Sequence, residues 1–150
     1  MQASLRALLD DAAWRGATWL PRLRERAEAA LAGTDEYRIV VRDGRGSGLA
    51  GVACYGLTAG AEGAGALYAV VVAPRMQRRG YGRALVGDVL GELSRVRARF
   101  ALAEVPGDAA HASYIGLLAA CGFTETGRVP DLVADGTDLV LLRRDLPATT

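Results

Sequence analysis

The residues from Ala66 to Val72 form a near-continuous apolar run, and Pro74 closes it. After a short basic loop, Leu85, Val86, Val89, Leu90 and Leu93 recur at the spacing of one helical face. An unbroken apolar strand suits burial on both faces of a sheet, and the stripe that follows suits a long helix laid against a core. Strand, loop and helix come in that order, and the chain is expected to fold as α/β.

The flanking segments fit around this unit. Leu5, Leu8, Leu9 and Ala12 recur at helical spacing, and a second helical run follows Pro21 with Leu23, Ala27, Ala30 and Leu31 on one side. Tyr37 to Arg42 predicts a strand, Asp43-Gly44 a hairpin turn, and Leu49 to Leu57 its partner. The Gly-rich stretch from Gly60 to Gly65 separates this pair from the buried run. Downstream, Phe100 to Val105 predicts a strand and His111 to Cys121 a helix. Gly122-Phe123 stops that helix before another strand, and Asp138 to Arg144 is the last strand. No internal repeat is present, and only the first few residues and Pro147 to Thr150 have the character of tails. A chain of 150 residues is the size of one ordinary domain, so a single domain over residues 1–150 is expected.

Hydrophobic residues make up 51% and charged residues 23% of the chain, and the net charge is +1. That balance suits a globular enzyme and gives no general attraction for nucleic acid or an anionic membrane, so any anion site must be local. The arginines are scattered and balanced by acids without an aromatic-basic platform, which argues further against a nucleic-acid partner. Every basic side chain other than the single histidine is arginine, which excludes a lysine nucleophile or Schiff base. The first residues carry no long apolar stretch, so neither a signal peptide nor a membrane span is expected and the cytoplasm is the expected location. Cys54 and Cys121 lie far apart without metal-ligand spacing; both are expected to be small core residues, and no metal site is expected.

Gly80 and Gly82 stand where the apolar strand has ended and the helix begins, so free backbone N–H groups and the positive end of the helix dipole share one place. Such a place binds anions. Glycine lets a diphosphate approach the backbone, and Arg78, Arg79 and Arg83 can add charge-assisted hydrogen bonds. The plainer alternative is a solvated basic helix start with glycines that serve only the turn. A P-loop requires a Gly-Lys-Ser/Thr ending, which is absent, and a dinucleotide fingerprint needs a small residue where Leu85 stands.

The segment Val72-Ala73-Pro74, followed by Gln77-Arg78-Arg79-Gly80-Tyr81-Gly82, resembles motif A of the GNAT superfamily of acyl-CoA-dependent N-acetyltransferases. Its pattern is an apolar strand, Val-x-Pro, then Gln/Arg-x-x-Gly-x-Gly/Ala. The resemblance spans Tyr37 to Leu146 and is weakest across the opening helices, where the usual first strand is not evident. It implies a mixed, mostly antiparallel twisted sheet flanked by helices, with splayed central strands. It also implies acetyl-CoA as co-substrate, its diphosphate on the loop from Gln77 through Arg78, Arg79, Gly80, Tyr81 and Gly82 to Arg83. The pantetheine arm would pair with Val70, Val71 and Val72 like an added strand. Backbone N–H groups near Val70 or Val72 would then stabilise the oxyanion of acyl transfer.

For the general base the resemblance points to Glu104, because acceptor sites of such proteins open beside that strand; alternation alone leaves open which way Glu104 faces. Asp131, Asp135 and Asp138 lie in a stretch that shapes the acceptor side in some members, and Asp135-Gly136 is equally a plain hairpin turn. The usual acid lies in Tyr-x-x-x-Gly-Phe, and here that tyrosine position holds Leu118. Tyr114, one helical turn earlier on the same face, is the substitute to consider, against a tyrosine that merely packs at the core edge. His111 falls where many members carry an Asn that contacts the pantetheine arm, and the alternative is a histidine that simply begins the helix. Trp14, Trp19 and Tyr55 are candidates to line an acceptor pocket, against the alternative of core aromatics.

The expected activity is transfer of an acetyl group to a small, N-terminal or side-chain primary amine by direct attack. Neither cysteine has a readable base partner for a covalent intermediate. The alternative is an acyl-CoA-binding sensor or interaction module weakened in catalysis, as Leu118 would allow. Dimerisation is common in similar proteins, so a homodimer is an assembly to test, although the sequence shows no seam for one.

Overall fold

The computed structural model describes residues 2–11, 14, 17, 20–33, 36–46 and 48–147; Ala12 and Trp19 lie outside the described residues. Two helices open the chain, α1 (Gln2–Leu9) and α2 (Leu20–Leu31), followed by β1 (Arg38–Asp43), β2 (Leu49–Leu57) and β3 (Ala64–Val72). Then come α3 (Tyr81–Arg95), β4 (Phe100–Pro106), α4 (Ala112–Ala120), β5 (Thr124–Ala134) and β6 (Thr137–Asp145). The strands form one six-stranded sheet in the order β1-β2-β3-β4-β6-β5. All neighbours are antiparallel except β3 and β4, which α3 joins as a crossover and which therefore run parallel.

Alternation along the strands feeds two cores, one on each face of the sheet. On one face Leu85, Val86, Val89 and Leu93 of α3 and Leu118 of α4 pack over Ala53, Leu67, Ala101, Ala103 and Val105. On the other, Leu5, Leu8 and Leu9 of α1 with Leu23 and Ala27 of α2 cover Ala50, Val52, Cys54 and Val71. The helical stripes seen in the sequence are thus mostly the buried faces, although Leu31 at the end of α2 is exposed and Ala30 and Leu90 are only half-buried.

Three expectations need correction. The β1–β2 turn centres on Arg45 and Gly46, both at positive φ, with the Gly44 N–H donating to the Gly48 carbonyl; Asp43 is still strand. The Asp-Gly signal lost to a longer loop with Gly46 in the left-handed region. Tyr55 does not line an acceptor pocket, because its place in β2 points it into the core under α3. Finally, β3 is not buried along its whole length: Tyr68 to Val70 and Val72 are only half-buried.

That partial exposure has a geometric cause. β3 pairs with β4 only from Ala64–Phe100 to Leu67–Ala103. At the next position Tyr68 is an extra residue, since Tyr55 faces Leu67 while Cys54 faces Ala69. A bulge bends its strand and sharpens the local twist. Beyond it β3 stays with β2 as far as Val72, while β4 stays with β6 as far as Pro106. The two central strands diverge into a cleft that passes between them.

Leu118 is fully buried among α3 and the sheet. Leu118→Ala should therefore cost about 3 kcal/mol of stability, in the range for a leucine-sized cavity, measured by denaturant unfolding. A loss below about 1 kcal/mol would show that this position is not a packing site.

Candidate active site

The cleft has a volume of about 550 Å³. Its walls are Tyr68 to Val72 of β3, Glu104 to Pro106 of β4 and the first turns around α4, with Gln77 at one end and Trp14 at the other side. The two cores tell which mouth each side chain serves. Ala103 and Val105 belong to the core under α3 and α4, so Glu104 between them faces the α1/α2 side. Trp14 and Tyr68 pack with the α1/α2 core and share that mouth. His111, Ser113 and Tyr114 approach from the α4 side, as does Val70, which packs against the α3/α4 core, while Val72 packs against both cores. The open question about Glu104 is thereby answered: it is exposed in the cleft, not on a distant surface.

At the α3 end the backbone is shaped for an anion. Arg78 and Gly80 both have positive φ, +62° and +86°. Among the described residues, none of the N–H groups from Arg78 to Arg83 donates to a backbone carbonyl. A Cβ added at Gly80 would meet nothing within 4 Å, so the space above this turn is open. Gly82 has a different duty: a Cβ there would stand 3.1 Å from Leu117, so glycine permits the close approach of α3 and α4. Free amides at a helix N-terminus carry partial positive charge, and together they suit a diphosphate.

The side chains around the loop are placed unequally. Arg83 donates to the Ala120 carbonyl at 3.3 Å, at the end of α4. Arg79 reaches toward the Met76 sulfur at 3.8 Å. Gln77 donates through Nε2 to the Val72 carbonyl at 3.2 Å, which ties the loop to the last residue of β3. Tyr81 packs against the α1/α2 core. The anion site is therefore built mainly from backbone.

His111 precedes α4, with its Nδ1 2.6 Å from Asp108 Oδ1, and the same oxygen accepts the His111 backbone N–H at 3.0 Å. These bonds hold the Asp108 carboxyl below its usual acidity range. A carboxylate only accepts, so Nδ1 carries the shared hydrogen and Nε2 is the nitrogen left for the cleft. Sequence reasoning missed Asp108, although an Asp three residues before a helix-opening residue is an N-terminal signal. Tyr114 has a buried hydroxyl without a hydrogen-bond partner, and burial alone pushes its ionisation upward.

Other candidates fall elsewhere. Asp131 Oδ1 accepts the Gly136 N–H at 2.8 Å, and Asp138 accepts the Asp131 N–H and faces Arg128. These acids organise the β5–β6 hairpin. Trp19 lies outside the described residues.

The sequence profile of the acetyltransferase (GNAT) family matches residues 5–123. The chain belongs to that family. Comparison with curated protein sequences yields no match. Among solved structures, a Desulfovibrio desulfuricans protein assigned to the GNAT family superposes with a TM-score of 0.87 at 25% identity, covering 97% of this chain and 94% of that one. A ribosomal-protein-alanine N-acetyltransferase from Brucella melitensis gives a TM-score of 0.73 at 24% identity over 97% of this chain and 96% of that one. A Bacillus subtilis acetyltransferase in complex with CoA gives 0.66 at 18% identity, over 80% and 84% of the two chains. The six-stranded mixed sheet with its diverging centre is thus the fold of this family. Among the described residues of this GNAT chain no helix is long and apolar enough to cross a membrane.

Cys54 is fully buried, and burial pushes its thiol up to about 11, with Arg26 offsetting only part of this. A thiol reagent at pH 8 should modify half-buried Cys121 first and reach Cys54 only after unfolding, as followed by mass spectrometry. Rapid native modification of Cys54 would instead mark it as a reactive thiol.

Proposed function

We propose that this chain moves an acetyl group from acetyl-CoA to a primary amine by direct attack, acting as a single GNAT domain over residues 1–150. The observation that carries the reading is the cleft between β3 and β4. It runs from Gln77, which leads into the loop at the start of α3, to a carboxylate, Glu104, that faces the α1/α2 side of the sheet. A co-substrate and an acceptor can thus meet from two faces. The Bacillus subtilis structure holds CoA, which supports the same use of this fold here.

Acetyl-CoA supplies the activated acetyl group as a thioester. The amides from Arg78 to Gly82 hold its diphosphate, with Gln77, Arg78, Arg79, Tyr81 and Arg83 around them. Val70, Val71 and Val72 offer the unpaired side of β3 to the pantetheine arm, and His111 meets that arm from α4. An N–H of this strand stabilises the negative oxygen that develops when the amine nitrogen bonds to the thioester carbon. Glu104 takes the proton from the ammonium, directly or through water, and passes it to solvent. The carbon–sulfur bond breaks with its electron pair on sulfur. Tyr114, kept un-ionised by burial, can donate a hydrogen bond toward that sulfur without giving up its proton, and the departing thiolate is protonated from solvent. The unpaired cysteines suit a reducing compartment, and we place the reaction in the cytoplasm.

A second reading, an acyl-CoA-binding module without turnover, is favoured by Leu118, which is core where the family's usual acid would stand. Calorimetry with acetyl-CoA and amine-dependent release of CoA separate the two. Gly80→Glu puts a negative charge over the free amides, with nothing within 4 Å of the added Cβ but with strain at φ +86°, and should abolish binding, while circular dichroism and thermal unfolding show whether the fold survives that strain. Glu104→Gln should keep binding and lower kcat ~10²-fold, the scale of general-base catalysis. Binding without turnover in the wild type would select the module, and no binding would overturn both.

A further inference from the structure

The proposed reaction moves two protons, one off the acceptor nitrogen and one onto the departing sulfur. Glu104 serves the first from the α1/α2 side of the cleft. On the α4 side, two positions that could serve the second do not. Leu118 is apolar and fully buried. Burial pushes the ionisation of Tyr114 upward, so its phenol holds its proton more tightly than usual. An alkyl thiol ionises at about 8.5 and a phenol at about 10, so even an ordinary tyrosine would give its proton to a thiolate uphill. An imidazolium of ordinary acidity, about 6.5, gives it downhill.

His111 is the only histidine in the chain, and it lines the cleft on that side. Its side chain is 26% exposed, open enough to meet a ligand and to exchange protons with water. Asp108 Oδ1 lies 2.6 Å from Nδ1 and 3.0 Å from the His111 backbone N–H, so ring and backbone are fixed together. These bonds favour the ionised Asp108, which keeps the hydrogen on Nδ1 and makes Nε2 the atom where a proton comes and goes. The other ionisable side chains lining the cleft among the described residues are Glu104 of β4, Tyr68 of β3 and Tyr114 of α4. Arg128, which approaches Gly107 just ahead of this turn, is already paired with Glu125 and Asp138.

We infer that the proton solvent supplies to the departing sulfur passes through His111, which acts as the general acid while Asp108 positions its ring. This rests on the acetyl-transfer reading and adds a catalytic residue to the same site. The carbon–sulfur bond breaks with its electron pair on sulfur, and that pair takes the hydrogen from Nε2. The neutral imidazole keeps its Nδ1–H on Asp108 and takes a replacement proton at Nε2 from water. Glu104 and His111 thus handle the two protons from opposite faces of the sheet.

A single histidine makes the test unambiguous in nitrogen-15 spectra of the imidazole ring. In the free protein Nδ1 should stay protonated on both sides of the titration, with Nε2 carrying the change. CoA, with protein in excess, should shift the Nε2 signal, and desulfo-CoA, which lacks the sulfur, should leave it near its free position. The thiolate absorbance of bound CoA should appear about one pH unit lower in the wild type than in His111→Asn, as for a thiol beside a cation. With an amine acceptor, His111→Asn should lower kcat ~10²-fold and remove the fall of kcat toward high pH that an acid produces. Asp108→Asn, which can still accept the His111 backbone N–H, should mix the two ring tautomers, and an unchanged tautomer would remove Asp108 from the positioning role. Equal Nε2 shifts with CoA and desulfo-CoA, the same thiolate titration in both proteins, or an unchanged kcat would overturn the inference while CoA binding stands. The CoA measurements need no acceptor, so they decide even without turnover. No calorimetric binding of CoA at all would overturn the acetyl-transfer reading along with it.

Discussion

Everything at the candidate site depends on the place where β3 and β4 stop pairing. Four residues of each strand are joined, from Ala64–Phe100 to Leu67–Ala103, and then the ladder ends. A parallel pair that continued would bury the edge of β3 and leave no room between the central strands. The extra residue at Tyr68 bends β3 away while β2 keeps its other edge paired, so the strand exposes polar backbone on one side only. That open edge is the natural partner for an extended ligand arm. It ends beside the loop whose N–H groups from Arg78 to Arg83 donate to no backbone carbonyl among the described residues.

The two cores make this opening stable. α3 and α4 on one face and α1 and α2 on the other clamp the strands below and beside the cleft. The divergence is therefore held by burial on both sides. Gln77 adds a direct tie by donating to the Val72 carbonyl, which joins the phosphate-type loop to the end of the strand it serves. Charge follows the same plan: partial positive charge gathers at the start of α3, and the cleft's carboxylate lies across the sheet from α4. Two reactants of opposite charge can approach from different faces without competing for one entrance.

Much of this was legible in the sequence, because it rests on local signals. An apolar run, a proline, paired glycines and a helical stripe are each set by neighbours in the chain, and they located β3, the loop and α3. The direction of Glu104 was not legible, since alternation needs an anchor and that anchor is the packing of Ala103 and Val105 under α3 and α4. The bulge at Tyr68 was hidden for a related reason: an extra residue exists only relative to the register of β2. Tyr55 resembled a pocket aromatic until its face of β2 was known. The turn at Arg45 and Gly46 was missed because a neighbouring Asp-Gly pair carries the stronger local signal. Asp108 was overlooked because its value comes from holding His111.

The central claim is that one acyl-CoA occupies the loop amides and the open edge of β3 together. Backbone amide NMR spectra recorded during titration with acetyl-CoA test it most directly. The account predicts large shifts for Arg78 to Arg83, for Val70 to Val72 and for His111, all with one common affinity, while β5 and β6 stay unchanged. Shifts confined to the loop, or centred on β5 and β6, would contradict it.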